Sequence, residues 1–220
     1  MSWLIWKEYR VKRLILFVGL GMMLTPHAIA LVSTYFHPQH VDNYFMAASM
    51  FSLVVTQLIL AMLGGTAIAG ERADRSAEFL ETLPFSRKQN FCSKLVFGPL
   101  TIFILWAVNL PILWLSVPPR QRMDWESMLY FIVVVAVTGL TFYCVGWFFS
   151  SLLNSAVVSS CLGLITPLAV IMGIQGGVWL FDRSYDIGSL IWYWYVAICI
   201  VISLISFPVG SLFYLRRVGP

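Results

Sequence analysis

Charged side chains in this sequence are concentrated at residues 70–94, GERADRSAEFLETLPFSRKQNFCSK, which hold nine of its 24 Asp, Glu, Lys and Arg residues. Five are basic (Arg72, Arg75, Arg87, Lys88, Lys94) and four acidic (Glu71, Asp74, Glu78, Glu81). Mixed signs at this density suit ion pairing and docking. They do not assemble a catalytic site, because no nucleophile, base and orienting group can be put together from the residues present. The three histidines are dispersed: His27 lies in an apolar run, and His37 and His40 lie in a polar loop. Haem or metal ligation needs a facing pair or cluster. Cys92, Cys144, Cys161 and Cys199 fall in or beside apolar runs without metal-ligand spacing, and read as small buried apolar residues. No Gly-x-x-x-x-Gly-Lys-Ser/Thr phosphate loop occurs, since Gly64, Gly65 and Gly70 belong to an apolar run and its end. The chain is therefore expected to bring no catalytic residue, cofactor or metal of its own.

Isolated polar groups inside the apolar runs have a different use. Gln57, Asn109 and Gln175 are candidates to line a translocation path, or to hydrogen bond between helices. No Asp, Glu, Lys or Arg falls at the middle of a run, which argues against proton- or sodium-coupled transport and against intramembrane proteolysis.

These residues are carried on a chain that is 60% hydrophobic and 11% charged, with a mean hydropathy of +0.84. That balance excludes a soluble globular domain and places the chain among integral membrane proteins. The net charge of +4 is not a nucleic-acid signal here, because basic residues in a membrane protein record which loops remain in the cytosol. A hydrocarbon core of about 30 Å needs roughly 20 apolar residues in helix, and the 220 residues hold six such runs.

Taken in order, residues 1–13 mix Trp3, Trp6 and Tyr9 with Lys7, Arg10, Lys12 and Arg13, as expected of an interfacial helix at the headgroup boundary. Six spans follow at about 14–36, 45–69, 91–117, 127–153, 155–181 and 189–215, within a single transmembrane domain over 1–220. The basic start and Ala28-Ile29-Ala30 imitate a secretory signal, but the apolar run continues to Phe36, which favours an uncleaved span. Gly19, Gly21 and Pro26 predict a kink in the first span. Ala61, Gly65 and Ala69 in the second span, and Ser155, Ser159 and Gly163 in the fifth, form small-residue faces that admit a close neighbour. Gly173, Gly176 and Gly177 around Gln175 predict a broken helix or a re-entrant turn. With the N-terminus inside, eleven Lys and Arg residues fall on the cytosolic side and three (Arg120, Arg122, Arg183) outside. Both termini and the charged stretch are accordingly expected in the cytosol.

Within that stretch Ala73, Ala77 and Leu80, with Phe79 and Leu83, recur at helical spacing, and Glu71 can pair with Arg75 at i, i+4. Pro84 ends the pattern, and Ser86 with Gln89 three residues on forms a capping box for the next helix. A loop that served only to anchor orientation would need basic residues alone, not an ordered helix with four acids.

Glu71-Arg72, then Arg75-Ser76-Ala77-Glu78-Phe79-Leu80-Glu81-Thr82-Leu83-Pro84-Phe85-Ser86-Arg87 with Lys94 following, resembles the cytosolic signature of ABC type-2 exporter permeases. Ser76-Ala77-Glu78 stands where the core of that signature has glycine and threonine. The resemblance implies an all-α integral membrane protein of six transmembrane helices, with a cytosolic coupling helix between spans two and three, in the segment 70–90. It implies a subunit that pairs with a second copy or a homologous permease and docks a separate cytosolic ABC ATPase, which supplies ATP and Mg. Glu71, Arg72, Arg75, Glu78, Phe79, Leu80, Glu81, Leu83 and Pro84 would then be the ATPase-coupling residues, with Phe79, Leu80 and Leu83 making the buried contact.

The expected function is that of the permease subunit of an ATP-driven exporter in the cell membrane, in contact with lipid and not with nucleic acid, and not itself an enzyme. An apolar interior and short outer loops favour a lipid-like or amphipathic substrate over a small ion. The alternatives are a non-transporting scaffold that docks a cytosolic partner through residues 70–90 and, less compatible with the residues present, a membrane-embedded enzyme.

Overall fold

A peptide group in hydrocarbon has no water to bond, so a segment that crosses a bilayer must satisfy its own backbone, and a helix does so internally. The computed structural model describes residues 2–37, 39, 41–73, 87–116, 124–181 and 188–216. Among these there are seven α-helices and no strand: α1 Ser2–Phe36, α2 Val41–Thr66, α3 Ala69–Ala73, α4 Arg87–Ser116, α5 Trp125–Leu152, α6 Ala156–Phe181 and α7 Gly188–Arg216. Six of them are long and apolar enough to cross a membrane, over Trp6–Phe36, Asn43–Thr66, Lys88–Ile112, Glu126–Leu152, Ala156–Gly177 and Ile191–Arg216. Phe17, Phe103, Met172 and Leu204 remain largely exposed, as on helices apolar all round whose outer faces meet lipid.

The spans differ in detail from the sequence reading. The segment before Arg13 and the first span form one unbroken helix of 35 residues, about 52 Å long at 1.5 Å per residue, with Pro26 inside it. The second span ends at Thr66 rather than Ala69, and a turn at Ala67 and Ile68 leads into α3. The break expected at residues 173–177 is absent, because α6 continues through Gly173, Gly176 and Gly177 to Phe181. A glycine costs a helix about 1 kcal/mol, and an unbonded peptide group in hydrocarbon costs several, so the helix persists. The coupling helix expected after Ala73 lies outside the described residues.

Two compact units make up the chain, Met1–Ile59 with Gln89–Tyr130, and Leu60–Lys88 with Phe131–Pro220. In the first unit α1 and α2 run antiparallel: a Cβ on Gly19 would lie 2.7 Å from Ile59, Ser52 Oγ donates to the Met23 carbonyl at 2.7 Å, and His27 Nε2 lies 3.4 Å from Ser49 Oγ. His27 is thus held by hydroxyls, with Ser52 Oγ also 3.2 Å from its Nδ1. Helices α1 and α4 run parallel, since Glu8 meets Lys94 and Lys12 lies over Phe97.

In the second unit the end of α2 runs parallel to α5 and antiparallel to α6. Thr141 and Trp147 of α5 meet Ser203 and Phe207 of α7, which makes α5 and α7 parallel as well. Alternation of direction along the chain is what short connections between spans require. Asp124 begins α5 by accepting from the Ser127 N–H at 3.3 Å, and hydrogen bonds from the Ser127 hydroxyl and N–H hold its carboxyl below the usual aspartate range.

Candidate functional site

Residues 74–86, the centre of the expected coupling segment, are reached from α3 and left through α4, so what holds those two helix ends decides what the segment can move. Arg75, Glu78, Phe79, Leu80, Glu81, Leu83 and Pro84 lie outside the described residues. Glu71 and Arg72 lie within them, at the root of the segment.

On the α3 side, the second unit brings three backbones together before the segment begins. A Cβ on Gly65 would fall onto Ser160, one on Gly64 onto the Tyr143 carbonyl, and one on Gly146 would lie 2.8 Å from Gly65 N and 2.9 Å from the Ala61 carbonyl. Gly163 continues the seam, with its Cβ position 3.0 Å from Gly146 Cα. Ala61 and Gly65 of one expected close-packing face and Gly163 of the other therefore meet α5 at Gly146, and Ser160 rather than Ser159 is the α6 serine against Gly65. This seam lets α2 end beside Ser150, whose Oγ accepts from Ile68 N at 2.9 Å and from Ala69 N at 2.7 Å. These are first N–H groups of a helix, which have no intrahelical partner. Arg72 donates in return to the carbonyls of Ser151 at 3.1 Å and Leu153 at 3.3 Å. Glu71 is buried beside it in sequence.

On the α4 side, the first unit buries a charge cluster. Glu8 Oε1 accepts from Lys94 Nζ at 3.0 Å, Glu8 Oε2 lies 3.0 Å from Lys12 Nζ, and Lys7 lies 3.4 Å from both Glu8 and Asn90 Oδ1. Glu8 and Lys94 are each 1% exposed. A buried carboxylate survives only with cations and donors around it, and the cluster supplies them. The start of α1 is thereby fastened to the start of α4.

Nothing in either constellation resembles a reacting centre; both are mechanical fastenings at the ends of a charged segment, on a six-span helical frame. Residues 11–184 match the family model for ABC-2 family transporter proteins. The chain belongs to the ABC-2 transporter family. No curated protein and no solved structure matches it. The matched range of this ABC-2 protein takes in α2 to α6, most of α1, and the whole of residues 70–94.

Of the candidate path residues of this ABC-2 protein, two belong to the first unit and one to the second. Asn109 is fully buried and donates through Nδ2 to Thr56 Oγ1 at 3.2 Å, an interhelical bond between α4 and α2. Its Oδ1 is buried without a partner among the described residues. Gln57 is half-buried in the same unit, whereas Gln175 lies exposed on α6 in the other. Sequence reasoning missed Glu8, Ser150 and Gly146. Glu8 carries a signal, being the one acid before Asp42 and four residues from Lys12. Ser150 and Gly146 carry none that separates them from other small residues in the spans.

Proposed function

We propose that the chain is the permease subunit of an ATP-driven ABC exporter, built as a pair with a second copy or a homologous subunit and powered by a separate cytosolic ABC ATPase. The supporting observation is that both helices flanking residues 74–86 are fastened by buried polar groups, to α5 on one side and to α1 on the other. A loop that merely reported orientation would need neither fastening. In this reading Phe79, Leu80 and Leu83 seat the segment on the ATPase, Arg75, Glu78 and Glu81 orient it, and the Pro84 turn returns the chain to α4. The ATPase binds ATP and Mg, and its closure displaces the segment. Both termini lie in the cytosol and the protein in the cell membrane, and the apolar frame suits a lipid-like or amphipathic substrate.

The test is co-purification of the full chain with an ABC ATPase, followed by ATP hydrolysis in the complex. Phe79→Ala and Leu80→Ala should lower both the bound ATPase and its hydrolysis. A chain that recovers no ATPase, or one indifferent to both substitutions, would instead be a scaffold for some other cytosolic partner.

A further inference from the structure

Arg72 belongs by sequence to a stretch that resembles a docking surface, yet its guanidinium is turned into its own chain. Its two nitrogens donate to the carbonyls of Ser151 and Leu153, at the end of α5, at 3.1 and 3.3 Å. The last carbonyls of a helix have no intrahelical partner, and a cation there also meets the negative end of the helix dipole. Ser150, one residue earlier, takes the first N–H groups of α3 onto its hydroxyl. Each helix therefore caps the other. The arrangement is reciprocal, and it uses the two positions where a helix end can be gripped without disturbing its interior.

Helix α3 has five residues, too few to stand without such caps. Its direction is set by α5. Immediately beyond Leu153 and Asn154, the chain turns back as α6, with Ser155 Oγ accepting from Val158 N at 3.3 Å and the Ser155 carbonyl accepting from Ser159 Oγ at 2.9 Å. Arg72 thus grips the root of the α5–α6 hairpin from α3, while the glycine seam at Gly65, Gly146 and Gly163 holds α5 and α6 to the end of α2 one to two turns further in.

We infer that Arg72 is an intramolecular latch, a positioning residue that delivers displacement of the coupling segment to the α5–α6 hairpin, and not a contact with the ATPase. The delivery half of this inference rests on the function proposed above; the latch itself rests on the geometry of one chain. A lysine in its place would carry the charge but reach one carbonyl rather than two.

Amide hydrogen exchange on the full chain in lipid nanodiscs tests the latch without any partner. Ser150→Ala should speed exchange at Ile68 and Ala69 about tenfold or more, Arg72→Ala should do the same across 68–73, and Arg72→Lys should fall between. Peptides from 199–207 should keep wild-type protection, which shows that the unit is still folded. Unchanged exchange at 68–73 in Ser150→Ala and Arg72→Lys would overturn the latch, even if Arg72→Ala failed to fold. Delivery is tested in the complex with the co-purified ATPase. Arg72→Ala should retain the ATPase while losing the change in exchange at 153–160 that ATP with vanadate produces in the wild type. Loss of the ATPase would make Arg72 a docking residue, and persistence of the change at 153–160 would show that force reaches the hairpin by another route; either result overturns delivery. A wild-type chain that recovers no ATPase defeats the proposed function, and with it delivery, but leaves the exchange comparison to decide the latch.

Discussion

Lys94 Nζ donates to Glu8 Oε1 at 3.0 Å, joining residues eighty-six positions apart in the chain, with both side chains almost completely buried. One carboxylate here serves Lys94, Lys12 and Lys7 together. Removing the acid takes a shared anion from three lysines at once, whereas removing Lys94 leaves Glu8 with two cations. Breaking a buried pair from one side costs about 3–5 kcal/mol. Glu8→Gln is accordingly expected to lower thermal stability in detergent more than Lys94→Gln does. Fluorescence-detected size-exclusion melting curves of the two variants check the order; equal losses would mean that the cluster works as isolated pairs.

The glycine seam predicts opposite outcomes for one substitution at two places. Gly146→Ala puts a methyl group 2.8 Å from Gly65 N and 2.9 Å from the Ala61 carbonyl, both backbone atoms, so α2 and α5 must separate. Overpacking of this kind costs about 1–3 kcal/mol. Gly176→Ala meets nothing within 4 Å and gains helix propensity, so it should be neutral or stabilising by up to about 1 kcal/mol. Melting temperatures of the two variants in the same detergent decide the matter.

Thr56 and Asn109 should behave as a coupled pair. Interhelical hydrogen bonds in membranes average about 0.6 kcal/mol by double-mutant cycles, with a maximum near 1.7. Thr56→Val and Asn109→Leu, singly and together, should give a coupling energy in that range. If Asn109 also lines the translocation path, transport by Asn109→Leu falls further than its stability does, and a lipid-like substrate assay in proteoliposomes separates the two effects.

Orientation can be read from two exposed residues, Lys88 at the start of α4 and Asp124 before α5. In a chain whose four native cysteines are replaced by alanine, Asp124→Cys should react with a membrane-impermeant maleimide in intact cells. Lys88→Cys should react only after permeabilisation. The reverse pattern would invert the topology and remove residues 70–90 from the reach of any cytosolic ATPase.

The six spans were legible in the sequence because each is a local property: a long apolar run has one way to satisfy its backbone in hydrocarbon. Small-residue faces at Ala61, Gly65 and Gly163 were legible for the same reason, as spacing along one helix. Gly173, Gly176 and Gly177 point to a break that the structure lacks, because the helix bonds are worth more than the propensity lost. The fastenings were not legible, since each joins residues from distant parts of the chain: Ser150 to Ala69, Arg72 to Leu153, Glu8 to Lys94. Arg72 stands in a stretch that resembles a docking surface. Its neighbours in sequence say docking, and only the fold reveals that its hydrogen bonds turn inward.

The seam at Gly65, Gly146 and Gly163 has a consequence for how such a protein could move. Helices that mesh through large side chains must climb from one set of rotamers to the next before they slide, which makes their packing bistable and stiff. Where backbone rests on backbone there are no teeth to lift. Shear along α2, α5 and α6 should therefore be smooth at the seam, and resistance to motion should reside in the polar groups at its end, so that friction and grip are assigned to different residues.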